Sequence, residues 1–172
     1  VKYGGLKFME AAHVKDLLSV LNWADNPRND LAAFRVLQLL DGIGPATARR
    51  ALDGIARDGG DLASLERFKP PPGAAPQCAA LVAAMIDVLG ASHWQGQIER
   101  LRRWYDPMVE IAYDSAHTRL GDLDQLERMA AQHATRSSFL TDLSLDPPEA
   151  SGAEAGPPLK DEDWLVLSTI HS

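Results

Sequence analysis

The stretch Leu40-Asp41-Gly42-Ile43-Gly44-Pro45-Ala46-Thr47-Ala48-Arg49-Arg50-Ala51-Leu52 constrains the fold of this chain more than any other. Apolar residues at helical spacing precede its turn (Leu31, Phe34, Val36, Leu37, Leu40), and more follow it (Ala48, Ala51, Leu52, Ile55). Two glycines flanking one apolar residue lie between these runs. Glycine takes a positive φ without a Cβ clash, so Gly42 can end the first helix and Gly44 can turn the chain back. Pro45 has no N–H to leave unpaired at a first helical position, and its φ is already helical. Ile43 can plug inward between the helices. These features predict a helical hairpin over 40–52, with bare backbone N–H groups at its tip and a positive helix end behind them. Such a tip is a phosphate-sized anion site.

Gly-apolar-Gly followed at helical distance by the small residue Ala48 resembles the helix-hairpin-helix element of DNA repair and replication proteins. That resemblance implies that the hairpin amides hold a phosphate of duplex DNA without reading bases, a contact that positions rather than specifies. Gly42, Ile43, Gly44, Thr47, Arg49 and Arg50 would form the DNA-contacting set. A helical turn that merely packs, as in any helical bundle, fits the same glycines.

At 172 residues the chain is long enough for one domain with a sizeable core, and its 45% hydrophobic content argues for a folded protein. The net charge of −7 excludes a basic nucleic-acid coat. Any DNA affinity must then come from a local patch and be weak and salt-sensitive, with a non-specific Kd on the order of 10⁻⁴ to 10⁻⁶ M. Cys78, the single cysteine, allows no disulfide framework or cysteine zinc site within one chain, in keeping with a reducing cytoplasm, and reads as a small core residue. No apolar run is read as long enough to span a membrane, and no signal peptide is recognised. Both ends read as cuts from something larger.

In chain order, Val1–Tyr3 reads as a short extended segment, and Phe8 to Ala24 as a helix ended by Asn26-Pro27. Asn29 or Asp30 can cap the helix that leads into the hairpin. The second hairpin helix is expected to run to about Arg57 and stop at Gly59-Gly60, and Asp61 to cap a short helix over 62–68. Lys69–Gly73, with three prolines, reads as a non-helical loop. An Ala-rich helix over 77–89 is expected to be deeply buried. A helix from Ile98 to about Ala112 should kink or break at Pro107. Its Arg100, Arg102 and Arg103 offer either a second DNA-facing patch or a solvated face. Asp122 or Asp124 is expected to start a helix to about His133, and Ser137 or Ser138 to cap a last one through Leu143. The segment 146–163, rich in proline, glycine and acids, reads as a solvated loop, and Trp164–Ile170 as a buried strand.

Signals for catalysis do not appear. There is no Gly-x-x-x-x-Gly-Lys-Ser/Thr loop to cradle a nucleotide. The five histidines (His13, His93, His117, His133, His171) never fall at ligand spacing with another histidine or the cysteine, so no metal site is expected.

Two terminal stretches carry a more specific likeness. Tyr3-Gly4-Gly5-Leu6-Lys7-Phe8-Met9-Glu10, followed by Val14-Lys15-Asp16-Leu17-Leu18, resembles the point where UvrD/Rep/PcrA-type superfamily 1 DNA helicases leave their second motor domain. Leu167-Ser168-Thr169-Ile170-His171-Ser172 resembles the first half of that family's motif V, and Phe139–Pro148 the close of the same insertion. The chain departs from the pattern at Ala11 and His13, where an arginine and a glutamate are frequent, and it lacks the Ala-Lys-Gly that continues motif V. The resemblance implies a mainly α fold: a helical subdomain of the 2B type inserted between two short strands of a RecA-like motor domain. The divisions would be 1–8 leaving the motor, 9–146 the helical subdomain with its contact hairpin at 40–52, 147–163 a linker, and 164–172 the returning strand. It further implies contact with duplex DNA near a fork or junction and with the enzyme's own motor domains. Accessory repair proteins are possible partners, no membrane is expected, and the location would be the bacterial cytoplasm. ATP and Mg would belong to the parent enzyme and no cofactor to this piece, while Thr169 and His171 would face single-stranded DNA in the intact motor. A protein-interaction or auto-inhibitory module with little DNA affinity is the competing expectation, favoured by the net acidity.

Overall fold

Helix α2 (Ala12–Asp25) is buried on nearly all sides, through His13, Val14, Asp16, Leu17, Leu18, Val20, Leu21, Trp23 and Ala24. The other helices are laid around it in this computed structural model, which describes residues 5–145, with side chains from Phe8 onward. They are α1 (Gly5–Glu10), α3 (Asp30–Leu37), α4 (Pro45–Arg57), α5 (Ala75–Gly90), α6 (Gln97–Ala112), α7 (Ala116–Ala130) and α8 (Arg136–Leu145). Short 3-10 turns at Leu62–Arg67 and Pro72–Ala74 join α4 to α5. Helix α2 packs against α1, α3, α5, α6, α7 and α8, whereas α4 reaches the bundle through α3 and the first 3-10 turn. The fold is mainly helical, with no strand among the described residues. The strands expected at 1–3 and 164–170, the linker at 147–163, and Thr169 and His171 lie outside the described residues.

Several local expectations match the structure. Asn29 caps α3, its side-chain oxygen accepting from the Ala32 amide at 3.1 Å. Asp61 likewise accepts from the Ala63 amide at 2.9 Å and opens the first 3-10 turn. Helix α4 ends at Arg57, ahead of Gly59 and Gly60, both of positive φ. Cys78 is 4% exposed, and burial pushes its thiol pKa up.

Others need correction. The helix read over 8–24 is two, broken at Ala11, whose φ of −58° and ψ of 133° are extended. Apolar spacing runs across the break because Phe8 and Val14 both turn into the same core. The proline-rich loop holds a turn of 3-10 helix at 72–74, where Pro72 stands at a first position that needs no N–H. Helix α6 continues through Pro107, an exposed residue, so the backbone bond it forfeits falls on the solvent side. Helix α7 begins after Ser115, not at Asp122 or Asp124, which are used mid-helix as partners of His13 and Arg102. Thr135 and not Ser137 or Ser138 caps α8. Its Oγ1 accepts from the Ser138 amide at 3.0 Å, and the Ser138 hydroxyl accepts from the Thr135 amide at 3.3 Å.

The largest departure is α5. Only Cys78, Leu81, Val82, Met85 and Val88 of it are buried, while Ile86 and Leu89 stand 46% and 42% exposed. Pro72–Gly90 is also, at 19 residues and a mean hydropathy of 1.5, long and apolar enough to cross a membrane by those measures alone, contrary to the reading that no such run exists. One side of it packs against α2, α6 and the 3-10 turns, as the core helix of a globular bundle does.

A polar knot ties three helices together. Asp16 of α2, 5% exposed, accepts from Arg35 Nε of α3 at 2.7 Å and from the Tyr105 hydroxyl of α6 at 2.8 Å. Burial, and then the neighbouring Asp16 charge, drive the Tyr105 pKa well above the ordinary tyrosine value. Replacing Asp16 by Ala leaves both donors unmatched, and is expected to lower unfolding free energy by about 2 kcal/mol in urea titrations. Unchanged stability would show that the knot contributes nothing net.

Candidate nucleic-acid interface

The hairpin forms between α3 and α4. After Leu37 the chain tightens, with Leu39 N–H donating to the Val36 carbonyl at 3.1 Å and Leu40 N–H to that of Leu37 at 3.3 Å. Gly42 then takes a φ of 74°, and the Ile43 amide closes on the Leu40 carbonyl at 3.1 Å. Ile43 is 4% exposed and Ala48 fully buried, so the plug and the close helix approach expected of them are present.

Gly44 behaves differently from its expected role. Its φ of −87° and ψ of −179° are extended backbone open to any residue, so Gly42 alone carries the left-handed turn. Gly44 is the N-cap of α4: its carbonyl accepts the first helical bond, from Ala48 N–H at 3.0 Å, and Pro45 follows at the first helical position. A side chain added at Gly44 would enter open space. Open space beside its Cα, not backbone freedom, is what distinguishes this glycine.

The amides at the tip divide into two groups. Asp41 N–H donates to Gln77 Oε1 of α5 at 2.7 Å, and Gln77 Nε2 donates back to Asp41 Oδ2 at 3.0 Å. This reciprocal clasp fixes the tip to α5 and holds the only carboxylate of 40–52 on a neutral amide. The amides of Gly42, Gly44, Ala46 and Thr47 have no acceptor among the described residues. They stand at the N-terminus of a 13-residue helix, where the positive end of the helix dipole adds to their donors.

The basic side chains divide in the same way. The Arg49 guanidinium lies 5.1 Å from the Phe34 ring centroid, and Arg50 Nη2 donates to Thr47 Oγ1 at 3.2 Å. Both arginines are exposed, and neither pairs with a carboxylate among the described residues. On α6, by contrast, Arg102 bonds Asp106, Asp124 and Glu127 at 2.6 to 2.9 Å, Arg103 bonds Glu99 at 2.6 Å, and Arg100 lies 3.5 Å from Asp87. Burial lowers the affinity of Arg102 for its proton, yet the hydrogen bonds it donates to those carboxylates raise its pKa overall. The second patch considered for α6 is therefore neutralised from within.

The sequence placed Gly42, Ile43, Gly44, Thr47, Arg49 and Arg50 together, and the structure brings them to one end of α4. It did not reveal Gln77 or the stacking of Arg49 on Phe34, because both join residues far apart or read as core by spacing. Away from the hairpin, buried His13 bonds Asp122 Oδ2 at 2.8 Å through Nε2 and Arg119 at 3.1 Å through Nδ1, a structural tie between α2 and α7. No group of three or more possible metal ligands occurs among the described residues.

No protein-family model, curated protein or solved structure matches the chain.

The two glycines should respond oppositely to substitution. Gly42→Val forces a β-branched residue to positive φ and is expected to cost about 1 to 3 kcal/mol of stability. Gly44→Asp should hold or slightly raise stability, because Asp is a good N-cap. Thermal melts of both variants check this; a larger loss at Gly44 than at Gly42 would refute the assigned geometry.

Proposed function

We propose that this chain is a regulatory subdomain that grips duplex DNA by its phosphate backbone, of the 2B type found in UvrD/Rep/PcrA-type ATP-dependent 3′–5′ DNA helicases. One observation carries the DNA contact: four amides with no acceptor and two exposed arginines with no carboxylate partner among the described residues lie at and just before the start of α4, on a chain whose net charge is −7. In this reading a phosphate oxygen sits before Gly44 and accepts from the Gly44, Ala46 and Thr47 amides. Arg49 and Arg50 supply the charge, and Ile43 anchors the tip. No base edge is read, so the grip is sequence-independent.

The helicase assignment rests on the terminal stretches and on the helical body. ATP hydrolysis, with its Mg, takes place in the motor domains of the parent, and this piece transmits leverage instead of making bonds. The orientation of the subdomain on its motor sets whether unwinding is productive. Partners are then duplex DNA near a fork, the motor domains and accessory repair proteins, in the cytoplasm. Thr169 and His171 would face single-stranded DNA in the intact motor. A second reading, an interaction or auto-inhibitory module, is favoured by the overall acidity and by the exposed apolar side of α5.

Anisotropy of a labelled duplex with a single-stranded tail, titrated with the chain over a range of salt, separates the two. The grip predicts salt-sensitive binding that Gly44→Asp abolishes without unfolding the protein. Neutralising Arg49 and Arg50 should flatten the slope of log K against log salt by about 0.9 for each phosphate that is no longer neutralised. Binding that survives Gly44→Asp, or is absent even at low salt, would overturn the grip in favour of the module.

A further inference from the structure

We propose that the groove between α2 and α3 is a docking site for an acidic amphipathic helix of a partner protein. The groove has a volume of about 820 Å³ and is lined by residues of both helices, Phe34 among them. Its floor is apolar: Leu18 and Ala32 are buried beneath it, and Phe34 and Leu39 are half-buried. At one end stands Leu31, 83% exposed in spite of the apolar spacing that would turn it inward. Leu31 to Leu39 spans roughly two helical turns, the length over which a docked helix presents anchors at i, i+4 and i+7.

The charge of the groove specifies the partner. Lys15 lies exposed on its wall with no carboxylate within ion-pair distance among the described residues. Asp16 is the only carboxylate in the lining, and both its oxygens are occupied, by Arg35 and by Tyr105. The remaining polar walls are uncharged, and Asn22 and Gln38 bond back to the carbonyls of their own helices. On a chain of net charge −7 this is an apolar slot whose one unpaired charge among its lining residues is the cation of Lys15. It complements a helix with an apolar stripe flanked by Glu or Asp, and it disfavours a basic one. A nucleic-acid strand would gain from the cation but leaves Leu31 without a use.

The proposal does not rest on the hairpin. The test uses the full chain and three labelled probes: a peptide of roughly three turns with Leu at i, i+4 and i+7 and Glu on its flanks, the same peptide with Lys for Glu, and single-stranded oligo-dT of matching length. Saturable binding of the Glu peptide is expected. It should weaken about ten-fold in Leu31→Ser, which removes one apolar anchor, and about three-fold in Lys15→Gln. Both positions are exposed, so thermal melting should be unchanged. Gly44→Asp should leave peptide binding intact, and Leu31→Ser should leave duplex binding intact, so the two sites fail separately. Equal or tighter binding of the Lys peptide, no binding of the Glu peptide, or insensitivity to Leu31→Ser would overturn the proposal. So would oligo-dT binding that Lys15→Gln weakens and the Glu peptide does not displace.

Discussion

Asp16 is almost out of water, and its two carboxylate oxygens face a guanidinium from α3 and a phenol from α6. Moving a carboxylate into a helical core is costly, and its partners must be placed well to offset that cost. Arg35 does so from α3 while also reaching the Ala12 carbonyl at 3.4 Å, so it spans the first turns of α2. The rotation of α3 against α2 is thereby set, and α3 is the helix that delivers the hairpin. At the far end the clasp between Asp41 and Gln77 fixes the tip against α5. The hairpin is held at both ends by directional polar contacts, while its apolar plug, Ile43, supplies burial with little direction.

This arrangement explains how an acidic chain can present a basic site. On α6 and α7 carboxylates and arginines pair with one another: Asp106, Asp124 and Glu127 close around Arg102, and Glu99 bonds Arg103. Arg102 cross-links α6 to α7, and Arg103 is paired within its own helix. Arg49 and Arg50 pair with no carboxylate among the described residues, and the nearby carboxylate of Asp41 is occupied by Gln77. Net charge is therefore a poor guide to local potential here; the pairing pattern decides it.

The hairpin was legible in the sequence because its constraints are local: a glycine that must take positive φ, a proline at a helix start, and apolar periodicity on either side. The caps at Asn29 and Asp61 were legible for the same reason. Gly44 was misread because glycine alone does not reveal whether it is needed for its φ or for the space it leaves. Asp122 and Asp124 read as helix starts because acids favour that position, but tertiary partners on α2 and α6 claimed them. Helix α5 read as deeply buried from composition, yet burial depends on what surrounds a helix, and one side of it meets no described element. Gln77, Phe34 as a stacking base and the α2–α3 groove depend on long-range placement, and no spacing rule could have produced them.

The claim at the centre of this account is that the hairpin amides, and not the arginine-rich face of α6, meet the phosphate backbone. Amide chemical-shift mapping of the isotopically labelled chain, with a short blunt duplex added at low salt, tests it most directly. The account predicts salt-reversible shifts clustered at Gly42, Gly44, Ala46 and Thr47, extending to Arg49 and Arg50, with Arg100, Arg102 and Arg103 unmoved. Shifts centred on α6, or none near the start of α4, would contradict it.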